Sequence, residues 1–209
     1  LLDAYALIFR AYFAFARNPR VTSKGLDTSA VYGFLLALLD VIEKEKPSHL
    51  AVVFDIGGSQ AREQLYPEYK AHRDETPEGI KVAVPYIQKL LAAMRIPALG
   101  LPGYEADDVI GTLAHQAESA GFEVFMMTTD KDFGQLVTEQ VKMYKPARGG
   151  EPAEVLGPLE VCQKWGIERV DQVIDLLGLM GDAVDNIPGI PGVGEKTAAK
   201  LINQYGSLE

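Results

Sequence analysis

The chain has 209 residues, 47% hydrophobic and 23% charged, a composition typical of one globular domain or of one core with a small appendage. No apolar run reaches the roughly 18 residues of a membrane span and no signal peptide is visible, so we expect a cytoplasmic protein that does not contact membranes. Its net charge of −9 argues at first against a nucleic-acid partner, and its single cysteine excludes an internal disulfide. Because it starts without methionine and stops inside a helical pattern, we expect a fragment of a longer protein.

Several apolar runs end in an acidic residue. "LLD" ends at Asp3, "HLAVVFD" at Asp55 and "VFMMTTD" at Asp130. The last two have the length and the β-branched or bulky residues of strands that are buried on both faces. Helical patterns lie between these runs, at about 28–45, 82–94 and 106–120. Alternating strands and helices predict an α/β fold with a parallel sheet.

The position of these acids indicates a ligand site. In parallel sheets, ligands bind beyond the carboxyl ends of the strands. Another short apolar run, "IPALGL", leads into "GYEADDVIGTLA", which opens a helix and contains Glu105, Asp107 and Asp108. Carboxylates from four separate places are therefore predicted to converge on one edge of the sheet.

The pattern changes after residue 150. Short helices separated by Gly and Pro are predicted at about 157–164, 170–180 and 195–204, with no further strand signal. We therefore expect an α/β core over 1–150 and a small helical subdomain over 151–209.

Four more acids join the candidate site. "TTDKDFGQL" contains Asp130 and Asp132, and "LMGDAVDNIPG" contains Asp182 and Asp185, whose spacing predicts one face of a helix end. The only cation close to the group in sequence is Lys131. Nine such carboxylates repel one another unless something positive lies among them. The full set is Asp3, Asp55, Glu105, Asp107, Asp108, Asp130, Asp132, Asp182 and Asp185.

An all-oxygen site suits hard cations such as Mg²⁺ or Mn²⁺. Nine carboxylates exceed the needs of one ion, and two or more ions would suit in-line displacement at phosphorus. Removing these nine from the 29 acidic residues leaves 20, which equals the number of Lys and Arg, so a phosphodiester substrate is compatible with the charge. The alternative is that each acid is a helix cap or a solvated surface residue.

The stretch "GIPGVGEKTAAKLI" resembles a nucleotide-binding P-loop, but a glutamate separates its second glycine from the lysine. We interpret it as a hairpin that opens a helix. Gly192 and Gly194 would let the backbone approach a phosphate, and Lys196 and Lys200 flank them. The alternative is a plain helical turn.

A third segment, residues 61–81, is basic and aromatic and has no strand pattern. It contains Arg62, Tyr69, Lys70 and Arg73. Such a segment could cover the metal site and hold a single strand by charge and stacking. As a charge run alone it would be a solvated face.

Together these segments resemble the bacterial 5′-nuclease family, which comprises the 5′→3′ exonuclease domain of DNA polymerase I and the flap endonucleases. "GYEADDVIGTLA", "TTDKDFGQL", "GDAVDNIPGIPGVGEKTAAKL" and the arch-like "PEYKAHR" carry the resemblance, which covers essentially the whole chain. It implies a resolvase-like (PIN-like) core, a helical arch at about 60–85 and a helix–three-turn–helix (helix-hairpin-helix) element. It also implies metal-dependent hydrolysis of DNA flaps, nicks or 5′ ends.

The resemblance also assigns roles by position. One metal ion would be held by Asp3, Asp55, Glu105, Asp107 and Asp108, and a second, more labile group by Asp130, Asp132, Asp182 and Asp185. Lys70, Arg73 and Arg62 would steer the scissile phosphate. The hairpin around Gly192 and Gly194 would bind duplex backbone, with a K⁺ ion held by main-chain carbonyls.

This sequence departs from the family pattern in two places. Ala4-Tyr5-Ala6 stands where Gly-Ser-Ser is usual after the first aspartate, and Gln60-Ala61-Arg62 stands where Thr-Phe-Arg is usual. In the family a polymerase domain can follow the nuclease domain, and the nuclease domain itself continues beyond Glu209. Two rival functions remain: a DNA-structure-binding module without catalysis and, more weakly, a metal-dependent phosphatase for small molecules.

Overall fold

The computed structural model describes residues 1–147 and 152–208. Its centre is a six-stranded sheet in the order β3-β2-β1-β4-β5-β6, with all neighbours parallel except β5 and β6. This confirms the predicted parallel α/β core. The strands are β1 (Leu2–Asp3), β2 (Val52–Val53), β3 (Ala98–Leu99), β4 (Val124–Met127), β5 (Val141–Lys145) and β6 (Glu154–Leu156).

Helices cover both faces of the sheet. They are α1 (Ala4–Ala14), α2 (Ser29–Glu45), α3 (Gln60–Leu65), α4 (Glu78–Ala93), α5 (Ala106–Ser119), α6 (Pro158–Trp165), α7 (Gln172–Met180) and α8 (Glu195–Tyr205), with a 3-10 helix at Lys131–Leu136. The sequence did not predict α1, which begins directly after the first strand.

Successive strand residues face opposite cores. One hydrophobic core contains Val52 and Met127 and lies on the face of the sheet covered by α1, α2 and α4. The other contains Val53 and Met126 and lies on the face covered by α5 to α8. This alternation is the two-residue period of a strand, and it explains why these runs are apolar on both faces. The two cores fix the sheet between them.

The central strands end at the same level. Leu2 is paired with both Val52 and Met127, and Met127 is paired with Tyr144. The next residues along β1 and β5, Asp3 and Lys145, therefore lie at one edge of the sheet. This carboxyl edge, as predicted, is where the acidic residues collect.

The prediction of no strand after residue 150 is wrong. Glu154–Leu156 forms β6, antiparallel to β5, and a two-stranded hairpin joins β7 (Gly181–Asp182) to β8 (Ile187–Pro188). Strands of two or three residues are too short to show a two-residue period, and they depend on the partner strand. The predicted boundary between 150 and 151 lies outside the described residues.

Among the described residues, no helix is both long enough and apolar enough to span a bilayer.

Candidate active site

Eight of the nine predicted carboxylates line one cleft of about 1220 Å³ at the carboxyl edge. The eight are Asp3, Asp55, Glu105, Asp107, Asp130, Asp132, Asp182 and Asp185. Asp108 is not among the residues that line this cleft; it lines a smaller cavity of about 270 Å³ beside it. The convergence predicted from strand ends is present, although the roles of the individual residues stay predictions.

Asp3 and Asp55 are held by the backbone of the fold. Asp3 is 9% exposed and caps α1: its carboxylate accepts hydrogen bonds from the Ala6 amide (3.1 Å) and the Thr128 hydroxyl (3.1 Å). Burial raises the pKa of Asp3 to about 6 despite these bonds. Asp55 accepts a hydrogen bond from the Ala106 amide at 2.8 Å, and burial raises its pKa as well.

The first turn of α5 supplies the next group. Glu105 is 5% exposed and precedes the helix, and its own amide donates to Asp108 at 3.1 Å. Burial and the neighbouring Asp108 charge raise the pKa of Asp107 to about 6. Partial burial acts in the same direction on Asp108, but the hydrogen bonds from Arg62 (2.7 and 2.8 Å) and the Glu105 amide outweigh it and lower its pKa.

The part of the basic segment that follows α3, residues 66–73, lies against these acids. Lys70 Nζ is 2.8 Å from both Glu105 carboxylate oxygens and 3.6 Å from Asp185 Oδ2. Arg73 also pairs with Asp185. The Tyr69 hydroxyl lies 3.0 Å from Glu105 and 3.2 Å from Asp185, and burial and these carboxylates raise the pKa of Tyr69.

Main-chain contacts hold the same segment to the β7–β8 hairpin. The Lys70 amide donates to the Asp185 carbonyl at 2.9 Å, and the Asn186 side chain donates to the Glu68 carbonyl at 2.8 Å. Lys70 has a φ of 56°, in the left-handed region that non-glycine residues seldom adopt. The position of the Lys70 side chain is thus fixed by backbone contacts as well as by its ion pairs.

Lys131 joins the remaining acids. Its ammonium lies 2.7 Å from both Asp132 and Asp182. Burial raises the pKa of Asp132, whereas in Asp182 the hydrogen bonds from Lys131 and from two main-chain amides outweigh burial and lower the pKa. Asp130 accepts a hydrogen bond from the Asp132 amide at 3.0 Å.

The expectation that Asp182 and Asp185 share a helix face is wrong. Helix α7 ends at Met180; Asp182 lies in β7 and Asp185 in the turn before β8. The Asp182 carboxylate accepts hydrogen bonds from the Val184 amide (2.7 Å) and the Asp185 amide (3.1 Å), which fold the turn. The turn, rather than a helix, brings both acids to the cleft.

Lys131, the cation close to the acids in sequence, is joined in the structure by three more cations. Arg62, Lys70 and Arg73 pair with the acids in addition to Lys131, because the chain folds residues distant in sequence over the cleft. Within the described ranges, no three His, Cys, Asp or Glu side chains are grouped so that they could hold a metal ion as they stand. These side-chain cations compensate part of the negative charge of the acids.

The donor set still fits a hard cation. Every acid in the cleft offers carboxylate oxygen, and burial raises the pKa values of Asp3, Asp55 and Asp107 because it disfavours their charged forms. Hard divalent ions prefer such ligands.

The second predicted motif lies apart from the cleft. Gly192 has a φ of 82° and Gly194 immediately precedes α8; a methyl group added to either would meet no atom within 4 Å. Lys196 and Lys200 are exposed and one helical turn apart. The loop therefore has open space on its outer side.

Sequence reasoning missed Thr128. This residue is fully buried, donates to Asp3 and accepts a hydrogen bond from the Asp130 amide at 3.1 Å. It thus links the acids that follow β1 and β4. A signal was present in "MMTTD", where two hydroxyl residues stand between the apolar strand and the acid.

Comparison with known proteins gives matches over the whole chain. Residues 1–166 match the family model of the N-terminal resolvase-like domain of 5′-3′ exonucleases, and residues 168–209 match that of their C-terminal SAM fold. A 5′-3′ exonuclease from Aquifex aeolicus is 44% identical over 209 residues, which are all of this chain and 70% of that protein.

Two further matches extend the comparison. DNA polymerase I of Bacillus subtilis is 45% identical over 210 aligned residues, which cover all of this chain but only 23% of the polymerase. The complex of bacteriophage T5 D15 flap endonuclease with DNA and metal ions superposes with a TM-score of 0.76 at 22% identity, covering 99% of this chain and 75% of that chain. At that identity the likeness shows the fold.

We predict that Gly189→Ala destabilises the protein. A Cβ on Gly189 would collide with the Met180 carbonyl and with the Gly181 amide, where the two hairpin strands meet. Overpacking of this kind costs about 1 to 3 kcal/mol. Thermal unfolding measures it, with Gly194→Ala as the control because its added methyl meets nothing. Equal melting temperatures for the two variants would contradict this prediction.

We also predict that Asp3→Asn stabilises the metal-free protein at pH 7. The pKa of Asp3 is about 6 in the folded state, above the roughly 3.9 of an unfolded chain, so wild-type stability falls as pH rises from about 4 through 6. Asn keeps the helix cap but carries no charge, and the difference at pH 7 should be about 2 to 3 kcal/mol.

Urea unfolding with chelator at pH 4 to 8 measures this difference. The surface variant Asp40→Asn, which loses a pair with Lys44, controls for the change in net charge. A stability difference between Asp3→Asn and wild type that does not change with pH would refute the assignment.

Proposed function

Because the chain belongs to the 5′-3′ exonuclease family of nucleases, we propose that it hydrolyses phosphodiester bonds of DNA at flaps, nicks or 5′ ends with the help of two or more divalent metal ions. The observation that carries this proposal is the single cleft in which eight carboxylates face the basic segment around Lys70. Acids suited to metal ions and cations suited to a phosphate occur in the same space.

The residues that would hold the first ion are Asp3, Asp55, Glu105, Asp107 and Asp108, and those for a second are Asp130, Asp132, Asp182 and Asp185. When bound, Mg²⁺ or Mn²⁺ would activate a water molecule and stabilise the charge that develops on the phosphate. The buried carboxylates with raised pKa values support this assignment, because a divalent cation would supply the positive charge that they lack.

The side chains of the basic segment have a different part. Lys70 and Arg73 line the cleft, so they can contact the phosphate beside the acids, and Tyr69 holds Glu105 and Asp185 in place. To reach a phosphate, the Lys70 ammonium has to leave Glu105, and this also frees Glu105 oxygens for a metal ion. Arg62 is placed differently: it lines the smaller cavity, pairs bidentately with Asp108 and lies 3.4 Å from Glu105, so it would orient these two carboxylates.

The loop before α8 would bind duplex DNA. The open space beside Gly192 and Gly194 leaves room for a phosphate against the main chain, and Lys196 and Lys200 add positive charge. We also propose that a K⁺ ion binds at this loop.

The chain spans about a quarter of the DNA polymerase I that it matches. We propose that a polymerase domain can follow it and that the protein acts in the cytoplasm.

Incubation with a 5′-labelled flap duplex, with and without Mg²⁺ and with excess chelator, tests the proposed function. We expect cleavage from the 5′ side only when the metal ion is present. Binding to the flap without cleavage at any metal concentration would instead favour the DNA-structure-binding module, and hydrolysis confined to small phosphate esters would favour the phosphatase.

We predict that Asp107→Asn and Asp130→Asn each lower turnover by more than about 100-fold. Loss of an outer-shell partner typically costs roughly 10- to 100-fold, and loss of a direct ligand should cost more. The control is Asp171→Asn, an exposed acid that pairs with Arg169 outside the cleft. Wild-type turnover of either cleft variant at saturating metal would contradict the metal assignment.

We predict that Lys70→Ala lowers turnover by about 100-fold or more while DNA affinity changes little, because the contact is with the reacting phosphate. The same variant should bind Mn²⁺ more tightly without DNA, since it no longer occupies Glu105. Single-turnover kinetics and metal titration measure these effects.

The control for Lys70→Ala is Lys81→Ala, which pairs with exposed Glu75. If Lys70→Ala changes only the DNA dissociation constant and leaves turnover intact, Lys70 is a surface charge.

A further inference from the structure

A second charged group lies in the same cleft as the acids. Lys145 at the end of β5 and Lys164 in α6 line the cleft together with Arg10 and Glu154. The Lys145 ammonium is 3.0 Å from Glu154 Oε2, and Lys164 lies close enough to Lys145 for direct interaction. These four described lining residues comprise three cations and one carboxylate, so this part of the cleft carries positive charge.

The positive charges of the two lysines repel each other. Burial lowers the pKa of Lys164, and the charge of Lys145 lowers it further. The negative charges of Glu154 in β6 and Glu195 in α8 act in the opposite direction but do not cancel these effects. An anion bound between the two ammonium groups would relieve this repulsion.

We propose that Lys145 and Lys164 together bind one backbone phosphate of the DNA that is hydrolysed at the carboxylate cluster. This rests on the proposed function and adds to it a phosphate subsite outside the catalytic cluster. Lysine binds phosphate as a point charge through a flexible stem, and two adjacent ammonium groups provide six donors for one phosphate group.

The register of the sheet indicates which phosphate this is. Lys145 follows Tyr144, which is level with Met127 and so with Leu2, the residue before Asp3. Two strand spacings therefore separate Lys145 from Asp3, about 10 Å between their backbones. Because the phosphates of one strand advance about 3.4 Å each along a duplex, the bound phosphate lies within about three nucleotides of the scissile one.

The chain contains a matched control for this lysine pair. Lys142 lies on the same strand and pairs with Glu123 at 2.7 Å, as Lys145 pairs with Glu154. The two lysine side chains are similarly exposed, at 27% and 24%. Lys142 is three residues before Lys145 and so lies on the opposite face of β5, and it does not line the cleft. If both ion pairs were purely structural, loss of either lysine would have the same effect on DNA affinity.

The test is fluorescence-anisotropy titration of a flap duplex at several salt concentrations, with Ca²⁺ to suppress cleavage. For the double variant Lys145→Ala/Lys164→Ala we expect affinity about tenfold lower near 0.1 M salt and a salt slope lower by about one, because the protein then neutralises one phosphate fewer. Lys142→Ala should bind as wild type does. Equal binding by the double variant and this control would overturn the proposal.

A second measurement locates the contact. Each phosphate within three nucleotides of the scissile one is replaced in turn by an uncharged methylphosphonate. One replacement should weaken wild-type binding and have no further effect on the double variant. Equal losses for both proteins at every position would overturn the proposal.

If the double variant does not fold, Glu154→Gln tests the same site. It should bind the flap more tightly than Glu123→Gln, because it removes the carboxylate that competes with the phosphate for Lys145. Equal affinity of these two variants would refute the proposal. A wild-type protein that neither binds nor cleaves the flap would refute the proposed function itself.

Discussion

The repulsion among carboxylates at one edge of a parallel sheet is the constraint around which the cleft is built. Parallel strands end at the same level, so the acids at or just after the ends of β1, β2 and β4 lie in one space. Burial there raises the pKa of Asp3, Asp55 and Asp107 because it disfavours their charged forms. The Thr128 hydroxyl and the turn after β7 donate hydrogen bonds to these carboxylates, and Lys131 brings a cation to them.

The compensating cations couple parts of the chain that are remote in sequence. Lys70 and Arg73 join the segment after α3 to Glu105 before α5 and to Asp185 between β7 and β8. Under the proposed function, a metal ion and an ammonium group would compete for the same Glu105 oxygens. Metal occupancy and the position of the basic segment are then linked, and by reciprocity a phosphate that draws Lys70 away favours metal binding.

The sequence predicted those features that depend on runs of adequate length. The strands before Asp55 and Asp130 and helices α2, α5 and α8 have periodic or continuously apolar patterns, and the strand-end rule placed their acids together. Prediction from the sequence failed where a strand or an ion pair depends on residues that are distant along the chain. The β7–β8 hairpin holds Asp182 in a two-residue strand, and the bidentate contact between Arg62 and Asp108 joins positions 46 residues apart. No local period records such contacts, which arise only when the chain closes over the sheet.

Charge distribution, rather than net charge, decides whether this acidic chain can accept a polyanion. More acids than cations lie at the carboxyl edge over β2, β1 and β4, and divalent ions bound there would offset this excess of negative charge. The next strand along the same edge, β5, ends in Lys145 instead of an acid, and α6 adds Lys164 beside it. One cleft thus has an acidic part suited to metal ions and a basic part suited to phosphate. Because the register keeps the two about 10 Å apart, a single strand of DNA is long enough to occupy both at once.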